Sequence, residues 1–502
     1  MKKKFIIILS VAILALLLFW FVSGRDKTGV SADISDIQQP VRYQTSPEIT
    51  VEDLYHYISV LASDSLEGRE AGTLGEKKAI SFICGEISDY GLNSQLQPFT
   101  FAKRDLTWYD CTLSFGNFRG EMNRDFIPIL PIASSRVSGE TVFAGYGYNY
   151  SKNGKEFNDY KDVDVHDKWA IIFEGTHFDG ITPRAGQSLE KRYDTAQKNG
   201  AAGVLTICQD SASGGQLVPD DWRYSTTPSS KFLIPMVRIS GKTADSLLRY
   251  AGSSVSEALA NIREKQWNVH IPVKVNVSVN SRRDSLISSN IIAFMEGADS
   301  ILKKEYIIVG AHYDHVGMDT YPTITGDTTT INYGADDNAS GTAGVMELAE
   351  KLVSADKQKR SILFVLFGAE EQGGLPGSKY FSENSPVPLD KIKLMINLDM
   401  IGRMDSLKNT YIYTDTQNSM LLKKAGSAYP DILLNIDTKN KGKSDHLSFS
   451  SKSIPIAYFT TGTHSEYHTP KDKTNTINFE GQKQLLDLIY DFICLKADAV
   501  EN

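Results

Sequence analysis

The stretch EYIIVGAHYDHVG, from Glu305 to Gly317, joins a short apolar run to a cluster of histidine and aspartate residues. Its first half predicts a buried strand, because it is a short run of apolar and mainly β-branched residues. Similar runs follow along the chain and alternate with helical segments such as GTAGVMELAEKLV, from Gly341. These runs include NIIAFMEG, SILFVLFG, IKLMINLDM and IPIAYFTTG. The alternation predicts an α/β fold, with a mixed central sheet and helices on both faces.

The composition is that of a large folded protein. With 502 residues, of which 41% are hydrophobic, the chain can bury a large core and is expected to form two folded units. The net charge of −8 is modest, and no block of lysine and arginine follows the first residues, which disfavours a nucleic-acid partner. The four cysteines are widely spaced without a CxxC motif, so neither a cysteine zinc site nor a dense disulfide framework is indicated. Buried free thiols and one long-range disulfide both remain open.

The amino-terminal segment indicates export. Lys2, Lys3 and Lys4 precede an apolar run from Phe5 to Val22 that only Ser10 interrupts. A basic head followed by an apolar segment is typical of a secretory signal or an uncleaved membrane anchor. A bilayer is spanned by about 20 apolar residues, so the length of the run is compatible with either. We therefore interpret 1–24 as a signal peptide or membrane anchor and 25–47 as a polar linker, and we expect a periplasmic or extracellular protein.

A β-rich segment interrupts the α/β pattern. From 106 to 279, short β-type runs such as TVFAGYGY and WAIIFEG are separated by glycine, aspartate and serine. The main domain is accordingly predicted to consist of 48–105 and 280–502. Its first part contains two capping-box patterns, which predict helices that begin after Thr50 and Thr73.

Five acidic or histidine-bearing motifs recur in the second half of the chain. They are AHYDHVG from Ala311, GADDNASG from Gly334, FGAEEQGG from Phe367, NLDMIG from Asn397 and EYHTPKD from Glu466. In open α/β sheets, sites form beyond the carboxyl ends of the strands, so these loops are expected to converge on one cavity. They carry enough nitrogen and oxygen ligands for two zinc ions and one further carboxylate that can act as a base. This combination predicts a hydrolase, although each motif alone is more typical of a turn, a cap or a solvated acid.

The spacing within the motifs suggests how the residues divide their roles. His312 and Asp314 point to the same side of an extended segment, so Asp314 can orient the imidazole of His312. Glu370 and Glu371 are neighbours and must point in different directions. This arrangement suits one carboxylate that binds a metal and another that contacts the metal-bound water. Either aspartate of GADDNASG can bridge two metals.

At these residues the chain resembles the family of co-catalytic di-zinc aminopeptidases, which also includes glutamate carboxypeptidases and glutaminyl cyclases. The resemblance covers most of the chain after the amino-terminal segment and implies a fold like that of the zinc aminopeptidases. The β-rich segment, with AQKNGAAGVLTI and IPMVRIS, resembles the protease-associated domain that some members insert before the catalytic core.

The resemblance also implies roles for individual residues and two Zn²⁺ ions per chain. The implied metal ligands are His312, Asp337 and Asp399 for one zinc and Asp337, Glu371 and His468 for the other. Glu370 falls on the position of the general base, and Asp314 on that of the histidine-orienting residue. The motif SDHLSF, from Ser444, resembles a further family signature, which places Asp445 and His446 at the substrate pocket without a defined role.

The function most strongly implied is release of the N-terminal residue from peptide substrates. A carboxypeptidase or dipeptidase that acts on acidic C termini, or a cyclase that uses one zinc, is the alternative within the same family. A receptor-like binding protein with a degraded metal site is disfavoured, because all the ligand positions and Glu370 are present.

We expect the chain to leave the cytoplasm because of its basic head and apolar run. Fractionation of the producing cells should recover it with the membrane or in the extracytoplasmic fraction. A variant that lacks residues 1–24 is the control and should stay in the cytoplasm. Recovery of the full-length chain as a soluble cytoplasmic protein would contradict export.

Overall fold

The computed structural model describes residues 43–129, 134–152, 154–174, 188–207, 233–264, 267–323 and 326–499. The predicted signal or anchor segment and most of the predicted linker lie outside these residues. In the described part of the chain, no helix has both the length and the hydropathy needed to cross a membrane. Residues 46–502 form one compact unit, and of the separate unit 1–45 only residues 43–45 are described, without regular secondary structure.

The regular elements are numbered here along the chain. The strands are β1 (Ser94–Trp108), β2 (Thr112–Phe115), β3 (Phe118–Gly120), β4 (Phe126–Pro128), β5 (Ser135–Ala144), β6 (Asn149–Lys152), β7 (Lys155–Asn158), β8 (Trp169–Phe173), β9 (Gly203–Ile207), β10 (Met236–Ile239), β11 (Asn268–Val279), β12 (Ser281–Met295), β13 (Tyr306–His312), β14 (Met318–Thr323), β15 (Gly326–Ile331), β16 (Ser361–Phe367), β17 (Ile392–Leu398), β18 (Asn409–Thr414), β19 (Leu433–Asp437) and β20 (Ile456–Thr460). The helices are α1 (Val51–Leu61), α2 (Leu74–Asp89), α3 (Leu189–Lys198), α4 (Gly241–Leu248), α5 (Val255–Glu264), α6 (Gly341–Ser354), α7 (Pro376–Glu383), α8 (Thr416–Gly426), α9 (His446–Ser450) and α10 (Phe479–Asp498).

The first sheet has eight strands in the order β1-β12-β16-β13-β17-β20-β18-β19. Its centre is parallel, because β16, β13, β17 and β20 run in the same direction. The strand pairs β1–β12, β12–β16 and β18–β20 are antiparallel. The predicted mixed central sheet is therefore confirmed.

Helices cover both faces of this sheet. Alternate residues of β13 enter different clusters of buried side chains, as the pleat of a strand requires. Ile307 and Val309 belong to the larger cluster, which contains side chains of α1, α2, α6 and α10. Ile308 belongs to a second cluster, together with Phe381 of α7 and Phe449 of α9. Two buried faces explain why the central strands are apolar throughout instead of alternating.

The two predicted capping patterns are confirmed. The side chain of Thr50 accepts a hydrogen bond from the Asp53 amide at 3.0 Å, and that of Thr73 accepts one from the Glu76 amide at 3.4 Å. Strand β12, in contrast, is longer than the predicted run NIIAFMEG. It begins at Ser281 because it pairs with β1 from Trp108 back to Ser94.

The second sheet comes from the β-rich segment. Its eight strands lie in the order β3-β2-β11-β5-β8-β9-β10-β4, with β5, β8, β9 and β10 parallel. Helix α3 ends at Lys198, three residues into the stretch AQKNGAAG, and α4 and α5 were not predicted. Both are short, with 8 and 10 residues, so each offers only a few apolar positions to a sequence pattern. The predicted boundary after residue 105 lies within β1, and that after 279 lies between β11 and β12.

Candidate active site

The predicted ligands follow strands that end at the same edge of the first sheet. His312 is the last residue of β13, Asp399 directly follows β17, and the pair 370–371 begins three residues after the end of β16. His468 comes from the loop after β20, the next strand in the sheet, and Asp337 from the loop before α6. The parallel centre of the sheet thus brings together loops that are distant in sequence.

The first group of potential metal ligands contains His312, Asp337 and Asp399. The Nε2 atom of His312 lies 3.3 Å from Oδ1 of Asp337 and 3.5 Å from Oδ1 of Asp399. All three side chains are buried, and their ligand atoms lie within 4.8 Å of one another. The structure therefore assembles the first ligand set that the resemblance implies.

The second group contains Asp337 again, with Glu371, His468 and one further histidine, His315. The Nε2 atom of His468 lies 2.9 Å from Oδ2 of Asp337 and 3.0 Å from Oε1 of Glu371. Asp337 thus presents Oδ1 to the first group and Oδ2 to the second, which is the arrangement of a bridging carboxylate. His315 belongs to the motif AHYDHVG, but no role was predicted for it from the sequence.

The residues of both groups fit metal ions. Imidazole nitrogen and carboxylate oxygen are ligands that zinc prefers. The Nε2 atom of His468 is buried and makes no hydrogen bond, although two carboxylate oxygens lie close to it, so it points between them. Burial alone would raise the pKa of Asp337, but contacts with His312 and His468 and the charge of His315 hold it well below its usual range. The site is therefore built to surround positive charge.

Asp336, the other aspartate of GADDNASG, lies outside both groups. Its Oδ1 accepts a hydrogen bond from the Gly402 amide at 2.7 Å, and its Oδ2 lies 3.3 Å from Nε2 of His464. The nearby His464 therefore contacts Asp336 and not the ligand groups. Asp472, which was not predicted as a site residue, anchors this loop by accepting hydrogen bonds from the amides of Asp336 and Asp337. In the sequence, only the position of Asp472 at the end of the motif EYHTPKD linked it to the site.

Asp314 is placed differently from the prediction. The Nδ1 atom of His312 lies 3.2 Å from the main-chain oxygen of Asp314 but 3.8 Å from its carboxylate. The carboxylate instead accepts hydrogen bonds from the amides of Glu370 and Glu371, at 3.0 and 3.3 Å. Asp314 therefore orients His312 through its main chain and uses its side chain to hold the turn that carries the two glutamates.

The neighbouring glutamates Glu370 and Glu371 differ in their relation to the ligand groups. Only Glu371 belongs to a ligand group. Burial raises the pKa of Glu370 well above its usual range, and the charges of Glu371, Asp445 and Asp399 act in the same direction. A carboxyl group with a raised pKa can both accept and release a proton near neutral pH.

Asp445 and His446 lie at the start of α9, beside the site. Both carboxylate oxygens of Asp445 are buried without a hydrogen-bond partner, and burial raises its pKa to about 6. The Nε2 atom of His446 donates a hydrogen bond to the main-chain oxygen of Lys441 at 2.5 Å. The imidazole ring of His446 stacks on the ring of Tyr458, with the ring centroids 4.4 Å apart. His446 therefore supports an aromatic wall and does not reach the ligand groups.

This wall belongs to a cavity of about 750 Å³ next to the ligand groups. One of the residues that line it is Met400, which directly follows the ligand Asp399 in the sequence. The other residues that line it are Arg403, Asp405, Tyr411, Tyr413, Gly442, Lys443, Tyr458, Thr460, Thr461, Gly462, Thr463 and His464. This lining was not predicted from the sequence, because Tyr458 lies inside an apolar run that is typical of a buried strand.

Comparisons with known proteins agree with this geometry. Residues 290–493, which contain all the site residues predicted from the sequence, match the sequence model of Peptidase family M28. The chain is similar to Aminopeptidase YwaD of Bacillus subtilis (strain 168), with 26% identity over 444 residues that cover 87% of this chain and 82% of that one. It is also similar to the solved aminopeptidase from Aneurinibacillus sp. strain AM-1, with 25% identity and a TM-score of 0.55 over 90% of this chain and 95% of that one. It shares its fold with BSAP, a zinc aminopeptidase from Bacillus subtilis, at 23% identity and a TM-score of 0.58 over 91% of this chain and 97% of that one.

The resemblance drawn from the motifs is thus confirmed by an independent family match and by relatives that align along most of the chain. Over residues 290–493 the protein is therefore similar to peptidase family M28.

Proposed function

We propose that the protein is a zinc-dependent aminopeptidase that removes the N-terminal residue of peptides with two metal ions and a glutamate general base. One observation carries this proposal: two buried ligand groups share Asp337, and the free carboxyl group of Glu370 lies beside them but in neither. The relatives that align over most of the chain are themselves named aminopeptidases, which supports the same substrate class.

The ligand sets define where the ions would bind. His312, Asp337 and Asp399 would hold one zinc, and Asp337, Glu371 and His468 the other. When bound, the two ions supply positive charge that polarises the scissile carbonyl group and acidifies the attacking water. Asp314 holds the turn of Glu370 and Glu371 close to these ligands, because its carboxylate accepts hydrogen bonds from both of their amides.

Glu370 would carry the proton through the reaction. It accepts a proton from the attacking water and returns it to the leaving amine, so the same carboxyl group acts first as base and then as acid. The raised pKa of Glu370, caused by its burial, suits the second step, in which a protonated carboxyl group must be present near neutral pH.

The cavity next to the ligand groups would hold the substrate's terminal residue. Its lining includes Met400, the neighbour of the ligand Asp399 in the sequence, and its volume is large enough for an aromatic side chain. The acidic end formed by the ligand groups would receive the free α-amine. We further propose that the second sheet is a protease-associated domain and that the amino-terminal segment directs export; both proposals rest on the sequence patterns.

The substrate class is tested with a panel of peptides. The purified chain without residues 1–24 should release N-terminal residues from peptides with a free amine and should leave matched N-blocked peptides intact. Peptides that end in glutamate test the carboxypeptidase alternative, and peptides that begin with glutamine test cyclisation. Cleavage of the N-blocked peptides at the C terminus, or cyclisation without hydrolysis, would contradict aminopeptidase activity.

Removal of the bridging carboxylate should affect both ions. Asp337→Ala deletes one ligand from each group, so the number of zinc ions per chain should fall for both sites, as measured by atomic absorption after dialysis. Asp336→Asn is the matched control, because it keeps an acceptor for the Gly402 amide and should retain both ions. An Asp337→Ala protein that keeps two zinc ions would exclude this residue as the bridge.

The neighbouring glutamates should respond differently to the same substitution. Glu370→Gln cannot accept a proton and should lower kcat by about 10²–10⁴-fold, roughly 3–5 kcal/mol of barrier, while the zinc content stays unchanged. Glu371→Gln replaces a metal ligand by a neutral amide and should weaken or empty one site. Zinc content and kcat measured side by side distinguish the two roles. Loss of zinc from Glu370→Gln alone would reverse the assignment, and full activity in both variants would exclude the proposed mechanism.

A further inference from the structure

His315 is a fully buried histidine that the proposed mechanism does not use. It lies three residues after His312, in the loop that follows β13. Its Nδ1 atom is 3.0 Å from Oε1 of Glu371 and 3.8 Å from Oδ2 of Asp337. It therefore reaches the second ligand group from a different direction than His468.

His315 and His468 contact the carboxylates of the second ligand group in different ways. The Nδ1 atom of His315 lies within hydrogen-bond distance of Oε1 of Glu371, at 3.0 Å. Because an ionised carboxylate can only accept, Nδ1 is the donor in this contact. The Nε2 atom of His468 is equally close to the same oxygen, at 3.0 Å, yet makes no hydrogen bond. An imidazole nitrogen directed between two carboxylates suits a metal ligand, whereas one directed at a single oxygen suits a hydrogen-bond donor.

The other ring nitrogen of His315 supports the same distinction. Its Nε2 atom is buried without a hydrogen-bond partner. A buried N–H group without an acceptor is rare in proteins, and an acceptor atom without a donor is less so. A ring proton of His315 is therefore better placed on Nδ1, where Glu371 accepts it. With its proton on Nδ1, His315 cannot offer that nitrogen to a metal.

The surroundings of His315 fix the direction of its ring. A Cβ atom added to Gly334 would lie 2.5 Å from two ring atoms of His315, so only a glycine allows this close approach. The His315 amide donates to the main-chain oxygen of Arg69 at 3.3 Å. The ring also packs edge-on against His468, with centroids 5.5 Å apart. The donor to Glu371 is thus held in place by packing on several sides.

We propose that His315 is a positioning residue that holds the carboxylate of Glu371 in place for the second metal ion. The end of a glutamate side chain rotates freely unless a neighbour fixes it. Glu371 also lies next to the acidic residues Glu370 and Asp337, which would repel it from the ligand position. The hydrogen bond from His315 offsets that repulsion and arranges the ligand before an ion binds. This inference rests on the proposed metal centre.

The test is zinc affinity, measured by competition with a chelator and independent of catalysis. His315→Leu removes the donor and should weaken binding of the second zinc by about 10–100-fold, with the first zinc nearly unchanged. His315→Asn places an amide N–H close to the original Nδ1 and should recover most of the affinity. His270→Asn is the matched control, because His270 pairs with Glu140 at 3.1 Å in the second sheet, and it should leave both affinities unchanged.

X-ray absorption at the zinc edge separates positioning from direct ligation. If His315 acts as proposed, the number of imidazole ligands per zinc is the same in the wild-type chain and in His315→Asn. Loss of one imidazole in that variant would make His315 a ligand and overturn the proposal. Wild-type affinity for both ions in His315→Leu would overturn it as well. If the wild-type chain itself bound no zinc, the proposed function would fail first, so the two failures are distinguishable.

Discussion

The position of the Asp337 carboxylate, with one oxygen facing each ligand group, is the constraint on which the site depends. Buried carboxylates repel one another, so the loop must be held by contacts other than those with the metal. The side-chain amide of Asn338 donates to the main-chain oxygen of Leu398 and accepts from the Met400 amide, at 2.9 and 3.2 Å. Asp472 accepts from the Asp337 amide at 3.1 Å. The Asn338 hydrogen bonds tie the bridging loop to the end of β17, where the ligand Asp399 follows. The Asp472 hydrogen bond ties the same loop to the segment after β20.

A second support comes from the amino-terminal part of the chain, outside the region matched by the family model. The guanidinium group of Arg69 is fully buried and donates to the main-chain oxygens of Tyr313, Tyr333 and Gly334, at 2.9, 2.8 and 3.0 Å. Burial lowers its pKa to about 10, while the charge of Asp337 is the largest of the opposing influences. Arg69 stays charged at neutral pH and joins the loop after β13 to the loop of Asp337. The opening helical segment therefore helps to shape the site without supplying a metal ligand.

The sequence was informative where a local pattern has one structural meaning. Apolar runs that end in acidic or histidine residues are typical of buried parallel strands with a site at their carboxyl ends. The fold class and the loops of the site could therefore be predicted from EYIIVGAHYDHVG and the similar runs that follow it. The cap residues Thr50 and Thr73 were predictable for the same reason, since each acts within four residues of itself. Resemblance to a family then separated Asp337 from Asp336, which no local pattern distinguishes.

The sequence by itself therefore determined which loops carry ligands and which residue types they offer. Only the tertiary structure decided where each side chain points. The carboxylate of Asp314 turns to the glutamate amides instead of to His312, and His315 turns to Glu371, because partners from other loops occupy the remaining directions. Asp472 and the cavity wall at Tyr458 likewise gain their roles from neighbours distant in sequence. A side chain with several possible hydrogen-bond partners takes its direction from the packed loops around it, and that packing is not encoded in its own short motif.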